Sequence, residues 1–106
     1  MTVSCKNMNV LSGEELLQIR IRKGMLCPGH IDDEQFWLLI SISSMHSDKI
    51  IQALRDFLVT GLSRKGACER YDVNSGYFST CLNRLQRISY ISAQLSRYYN
   101  ERTGDS

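Results

Sequence analysis

The residues of this chain best suited to a chemical role are the cations of its second half. Residues 1–60 carry six basic and seven acidic side chains, whereas residues 61–106 carry seven basic and four acidic ones. All the basic residues after position 60 except Lys65 are arginines, whose planar forks fit phosphate groups and guanine edges. The overall charge of +2 therefore hides a basic half that favours an anionic partner, although a solvated arginine-rich surface would give the same balance.

Patterns typical of catalysis or of metal binding do not appear in the sequence. The two histidines, His30 and His46, neighbour a Pro-Gly turn and a predicted helix cap rather than any nucleophile. The nearest approach to a metal half-site is Cys27 with His30, and the four cysteines form no C-x-x-C pair. We therefore predict that the protein is not an enzyme and uses no metal, cofactor or small-molecule substrate.

Length and composition predict one compact domain in the cytoplasm. A chain of 106 residues with 42% apolar and 23% charged residues is typical of a single globular unit. The longest apolar run, residues 36–40, is far shorter than the roughly 20 residues of a membrane span, and no signal-peptide pattern begins the chain. We therefore expect free thiols and no membrane partner.

Helix signals recur along the chain and predict an all-α fold. Ser12 and Glu15 form a capping box that predicts a helix over residues 13–23, although the alternation of Leu17, Ile19 and Ile21 also suits a strand. We divide the chain into an N-terminal arm, residues 1–24, which is expected to be partly helical, and a helical domain, residues 25–106.

Two further helices are predicted in the first part of that domain. One begins after Asp32 and runs to about Ser43. Ser47 caps the next one, whose apolar stripe ends at Gly61, a residue suited to the left-handed conformation that closes a helix. Val59 falls off that stripe, so its side chain is predicted on the outer face, where a partner could contact it.

Residues from about 63 to 84 fit a helix-turn-helix. Such a unit needs a small residue where its helices touch, and Cys68 stands there; it also needs a left-handed residue in the turn, where Asp72 stands. Side chains at five further positions should be buried. They are Ala67, Tyr71, Val73, Phe78 and Cys81.

The outward face of the second helix is small and polar, so it could approach a groove of DNA closely. Basic residues flank this face where phosphates run in a helix-turn-helix complex. The polar residues are Asn74, Ser75, Gly76, Ser79, Thr80 and Asn83, and the flanking cations are Arg64, Lys65, Arg84 and Arg87. An ordinary helical hairpin could share the buried pattern, but the placement of the charges favours DNA binding.

The same segment resembles a known family. The string Asn-Ser-Gly-Tyr-Phe-Ser-Thr at residues 74–80, with Ser-Arg-Lys at 63–65 and Tyr-Tyr at 98–99, is similar to the PapB-type regulators of fimbrial (pilus adhesin) operons in enteric bacteria. The similarity covers roughly residues 25–100. It implies a small, nucleoid-associated cytosolic protein that controls transcription of a fimbrial gene cluster by binding A·T-rich repeated sites in double-stranded DNA as an oligomer.

The resemblance also implies which residues matter. It places Arg64 and Cys68 among the positions needed for DNA binding. For Cys68 a packing role is favoured over thiol chemistry, because the position where two helices touch needs only a small side chain. The full set of candidate DNA-binding residues is Arg64, Lys65, Cys68, Asn74, Ser75, Gly76, Tyr77, Ser79, Thr80, Asn83, Arg84 and Arg87.

Beyond the motif, apolar residues continue at helical spacing and predict an extended C-terminal helix. That stripe either packs on the helix that holds Phe36 and Trp37 or forms a seam for another subunit. The candidate self-association residues are Asp56, Val59, Ile91, Leu95 and Tyr98. The alternative function is a helical protein–protein adaptor that does not bind DNA.

Overall fold

The computed structural model describes residues 12–105, with side chains described up to residue 100, and within them the fold is all-α, as predicted. The first eleven residues of the predicted arm lie outside the described residues. Five helices follow one another, and the third continues directly into a wider, π-helical turn. They are α1 (Gly13–Arg22), α2 (Asp33–Ser43), α3 (Asp48–Arg55, with the π turn Asp56–Thr60), α4 (Arg64–Tyr71) and α5 (Ser75–Asp105).

The helices begin where the sequence predicts. At α1 the capping box is present: the Ser12 Oγ accepts from the Glu15 N–H at 3.1 Å, and the Glu15 carboxylate accepts from the Ser12 N–H at 2.8 Å. The strand alternative for this segment is therefore wrong. Asp32 and Ser47 stand at the N-caps of α2 and α3, but neither side chain accepts a capping hydrogen bond.

The core lies where α5 crosses α2, α3 and α4. Its largest side chains are fully buried, and they come from α2, α3 with its π turn, and α5. They are Phe36, Ile50, Leu54, Leu58, Phe78 and Leu85. The rings of Phe57 and Phe78 meet edge to face at 5.5 Å between centroids, which fixes α5 against the π turn.

The π turn corrects the expectation for Val59. Because this turn bonds each N–H five residues back instead of four, it rotates the residues after Asp56 away from a continuous α-helical stripe. Val59 is consequently half-buried and packs against the core instead of standing on the outer face. Gly61 then ends the turn with a left-handed φ of 90°, as predicted.

The segment after α1 docks closely on α5. The Gln86 side chain accepts from the Leu26 N–H and donates to the Gly24 carbonyl, both at 2.9 Å. Gly24 has a φ of +91°, and a Cβ added there would lie 2.7 Å from the carbonyl oxygen of Ser89. Only glycine fits both constraints, so the end of the predicted arm is a fixed part of the packed structure.

Candidate nucleic-acid interface

The two helices α4 and α5 are joined by a short turn at Asp72, which has the predicted left-handed conformation, with φ 54° and ψ 55°. The Ser63 side chain starts α4 by accepting from the Gly66 N–H at 3.0 Å. Past the turn, the Val73 N–H donates to the Cys68 carbonyl at 2.9 Å. Hydrogen bonds at both ends of α4 therefore hold the helix-turn-helix geometry.

The residues between the helices pack largely as the motif predicts. Ala67, Phe78 and Cys81 are buried, while Tyr71 and Val73 are half-buried against the core. Cys68 is a free thiol with only 7% of its surface exposed. Its side chain therefore lies inside the unit, where it fills space between helices, and not on the surface that a ligand would touch.

The start of α5 is fixed by Asn74. Its Oδ1 accepts from the N–H groups of Gly76 at 2.7 Å and Tyr77 at 3.1 Å. The Thr80 hydroxyl donates to the Gly76 carbonyl at 3.1 Å. The side-chain oxygens of Asn74 and Thr80 thus already serve the helix, which leaves the Asn74 amide group free to donate elsewhere.

The remaining predicted contact residues lie on the first half of α5, and four of them line one shallow cleft. These four are Thr80, Asn83, Arg84 and Arg87. Ser75, Gly76 and Tyr77 are exposed at the start of the same helix, and Ser79 is half-buried. The cations Arg84 and Arg87 form no ion pair with any other residue in the described part of the chain, so both are available to an anion.

Arg64 makes two contacts from the start of α4 to α5. It is exposed at the start of α4, and its Nη2 donates to the Ser79 Oγ on α5. Its guanidinium also lies over the Phe78 ring, 5.5 Å from the centroid. These two contacts hold the cation across the turn, whereas Lys65 beside it is exposed without a recorded partner in this part of the structure.

A polar contact that the sequence did not predict ties α4 to the π turn. The buried carboxylate of Asp56 accepts from the Tyr71 hydroxyl at 2.8 Å and from Arg70 Nη1 at 3.2 Å. The hydrogen bond to this carboxylate, helped by desolvation, raises the pKa of Tyr71 above its usual value. Nothing in the local pattern signals this contact, because the partners lie 15 residues apart.

The candidate self-association residues fall into two places. Ile91, Leu95 and Tyr98 are 58%, 51% and 63% exposed on the second half of α5. Asp56 is instead buried, and Val59 packs on the core. Asp56 and Val59 therefore offer a partner less surface than Ile91, Leu95 and Tyr98 do, and their part in self-association stays a prediction.

Within residues 12–100, no three side chains of the metal-ligating types come together as a candidate metal site. Over the part of the chain that the structure describes, no helix has the length and hydropathy that a bilayer crossing requires.

Comparison with known proteins gives this surface a context. The family model for PapB, described as an adhesin biosynthesis transcription regulatory protein, matches residues 5–99. The chain belongs to the PapB family. Regulation of transcription is therefore the family's activity, and the match reaches well into the first 24 residues, which the resemblance seen in the sequence left out.

Individual relatives agree with the assignment to the PapB family. The chain is 49% identical over 90 residues to the major pilus subunit operon regulatory protein PapB of Escherichia coli, covering 85% of this chain and 86% of that protein. It is 46% identical over 82 residues to the AFA-III adhesin operon regulatory protein of Escherichia coli, covering 77% and 81%. The crystal structure of E. coli FocB is 48% identical, with a TM-score of 0.68, covering 82% of this chain and 99% of that one.

Proposed function

We propose that this PapB-family chain binds A·T-rich repeated sites in double-stranded DNA as an oligomer, and in that way regulates transcription of a fimbrial adhesin operon from the nucleoid in the cytoplasm. The family and its named relatives support regulation of an adhesin operon. The DNA, its sequence preference and the oligomer are the parts that the proposal adds.

One observation carries the DNA-binding part. Arg64 is held across the turn of a helix-turn-helix by Ser79 and Phe78, and the next helix carries the exposed cations Arg84 and Arg87. A cation that is already ordered loses little side-chain entropy on binding, so it is well suited to a phosphate. An anionic ligand therefore finds one ordered cation, Arg64, at the start of α4 and two exposed cations, Arg84 and Arg87, on α5.

The same face explains the proposed sequence preference. Bidentate readout of single bases in the major groove requires Arg, Asn or Gln at the centre of the recognition helix. Here the centre holds Ser79 and Thr80, and the Oδ1 of Asn74 is occupied by the helix cap. Modest selectivity then rests on phosphate contacts and on the narrow minor groove of A·T-rich DNA, which arginines read by its width.

Self-association raises the occupancy of the DNA sites, because a single helix-turn-helix unit binds DNA only weakly. A single unit with a few phosphate contacts binds at about the non-specific level of 10⁻⁴ to 10⁻⁶ M. Repeated sites bound by linked copies raise occupancy by effective concentration. We assign the direct contacts to Ile91, Leu95 and Tyr98, whereas Asp56 and Val59 act by fixing the shape of the π turn.

Titration of an A·T-rich duplex tests the DNA-binding part. We expect wild type to bind with a strong salt dependence, and Arg64→Ala to bind more weakly with a log–log salt slope shallower by about 1, the value of one lost phosphate contact. Arg20→Ala removes the same charge from an exposed position on α1 and is the control. A protein–protein adaptor would show no salt-dependent binding in any of the three.

Cys68 and the oligomer need separate measurements. Cys68→Ala should keep most DNA binding, while a bulky replacement at this buried position should spread the helices and abolish it. Loss of binding by a well-folded Cys68→Ala would indicate thiol chemistry instead. Sedimentation that shows only monomers, together with binding that is not cooperative in protein concentration, would contradict the oligomer.

A further inference from the structure

A second cationic cleft lies outside the helix-turn-helix. It has a volume of about 340 Å³ and lies between the end of α1 and the second half of α5. Three cations line it, with no acidic side chain among the lining residues. The lining residues are Arg22, Lys23, Tyr90, Ala93, Gln94 and Arg97. None of these three cations forms an ion pair within residues 12–100, although Arg22 also lines a separate cleft on α1 together with Glu14 and Glu15.

The cleft is held in place by the docking of the arm on α5. Arg22 and Lys23 immediately precede Gly24, whose carbonyl accepts from Gln86 and whose Cα packs against Ser89 and Tyr90. The backbone that carries these two cations is therefore fixed by a hydrogen bond and by close contact. Arg97 lines the same cleft from α5, so the three cations meet at one cleft from two elements.

The spacing along α5 connects this cleft to the proposed DNA-binding surface. Seven residues make nearly two turns of an α-helix, so residues seven apart lie almost in line. Asn83 in the cleft of the helix-turn-helix is followed at this interval by Tyr90 and Arg97, which line the second cleft. Thr80 is followed in the same way by Arg87 and then by Gln94. Two adjacent rows of polar and cationic side chains thus run from one cleft into the other.

The distance suits a single duplex. With a rise of about 1.5 Å per residue, Asn83 and Arg97 are separated by about 21 Å along the helix axis. One turn of duplex DNA spans about 34 Å, so phosphates within one turn can reach both clefts. A rigid α5 laid along the duplex would present both sets of cations to the backbone of the same molecule.

We propose that the cleft of Arg22, Lys23 and Arg97 is a second phosphate-binding site for duplex DNA, which one protomer occupies together with its helix-turn-helix. This inference rests on the proposed function, because it extends the contact surface of the same ligand. It gives the end of the N-terminal arm a direct part in DNA binding. The contacts are to phosphates, so they add affinity and salt dependence without adding base selectivity.

Salt titration of an A·T-rich duplex with matched double variants tests the proposal. Arg22→Ala/Arg97→Ala should bind about tenfold more weakly at 50 mM salt, with a log–log slope shallower by about 2 for two lost phosphate contacts. The control is Arg20→Ala/Lys49→Ala, which removes the same charge from exposed positions outside both clefts. It should change affinity and slope much less.

A gain-of-charge variant gives a second readout. Gln94 is exposed and lines the second cleft, so Gln94→Lys adds a cation there without disturbing the core. We expect tighter binding and a steeper salt slope. Equal affinities and slopes for the two double variants, or no gain for Gln94→Lys, would overturn the second site. Absence of salt-dependent binding in wild type would instead overturn the proposed function itself.

Discussion

The two halves of α5 form one continuous helix but differ in how far their side chains are buried. From Ser75 to Ser89 the helix contributes Phe78, Cys81, Leu85 and Ser89 to the buried interior. From Tyr90 to Asn100 no side chain is buried. The apolar spacing hardly changes across this boundary, so the difference arises because the second half meets α1 and α2 only along open clefts and is not covered by a neighbouring helix. Periodicity alone defines an apolar face, and only the packing partner decides whether that face is buried.

The largest expected effect comes from one substitution made in each half. Leu85 is fully buried, so Leu85→Ala should lower the free energy of unfolding by about 2–5 kcal/mol through lost contacts and a cavity. Leu95 is 51% exposed, so Leu95→Ala should change it by less than about 0.5 kcal/mol. Urea denaturation of dilute, monomeric protein measures both. Equal losses would show that the second half is packed like the first.

The boundary between the halves is tested at Gly24. Gly24→Ala places a Cβ against the Ser89 carbonyl and forces a φ of +91° on a residue with a side chain, so we expect a loss of about 2 kcal/mol. Gly13→Ala is the control, because an added Cβ at that helical position meets nothing within 4 Å. Thermal unfolding of both variants decides whether the arm contributes to stability. If both variants were nearly as stable as wild type, the contact between the arm and α5 would not contribute to stability.

The start of the first half depends on its cap. Asn74→Ala removes the acceptor for two backbone N–H groups and should cost about 1 kcal/mol. Asn83→Ala changes the same residue type at an exposed site within the helix and should be nearly neutral. Chemical denaturation compares the two. A cost at Asn83 as large as at Asn74 would mean that capping does not set this end of the helix.

The smallest expected effect on stability comes from an ion pair between α2 and α3, on which the first half of α5 packs. The Arg55 guanidinium donates to the Asp33 carboxylate at 2.7 Å and holds the pKa of Asp33 below its usual value. A lowered pKa stabilises the fold above the unfolded-state value of about 3.9, and this stabilisation is lost as the pH falls through the lowered pKa. Asp33→Asn should therefore be slightly less stable than wild type at pH 7.

The difference caused by Asp33→Asn should disappear at low pH. Unfolding curves measured between pH 7 and pH 2 follow it directly. Asp32→Asn is the control, because the Asp32 side chain makes no capping hydrogen bond. A difference that persists unchanged at pH 2 would exclude the ion pair as its cause.

Local signals in the sequence predicted much of the site. The capping box of Ser12, the left-handed turn at Asp72 and the Asn74 cap each depend on residues a few positions apart. Such signals can be recognised because the side chain bonds to the backbone beside it. The motif therefore gave the helix boundaries and most of the buried positions.

Contacts between distant residues could not be predicted in the same way. The π turn shifted Val59 inward and buried Asp56, and nothing in residues 56–60 marks the wider turn. Gly24 directly follows the predicted helix over residues 13–23, and no local pattern indicates that it fits against Ser89, 65 positions later. The exposed stripe of Ile91, Leu95 and Tyr98 shows the same limit, since the spacing of apolar residues does not specify what packs against them.

The hydrogen bonds of the Gln86 side chain to Gly24 and Leu26 constrain the order in which the parts of the chain can pack together. Chains leave the ribosome from their N-terminal end. Gln86 lies 62 residues after Gly24 and 60 after Leu26, so this early segment can dock only after the helices in between have been made. Until then, the surfaces of Leu26 and Ile31 that the finished fold buries remain in contact with water.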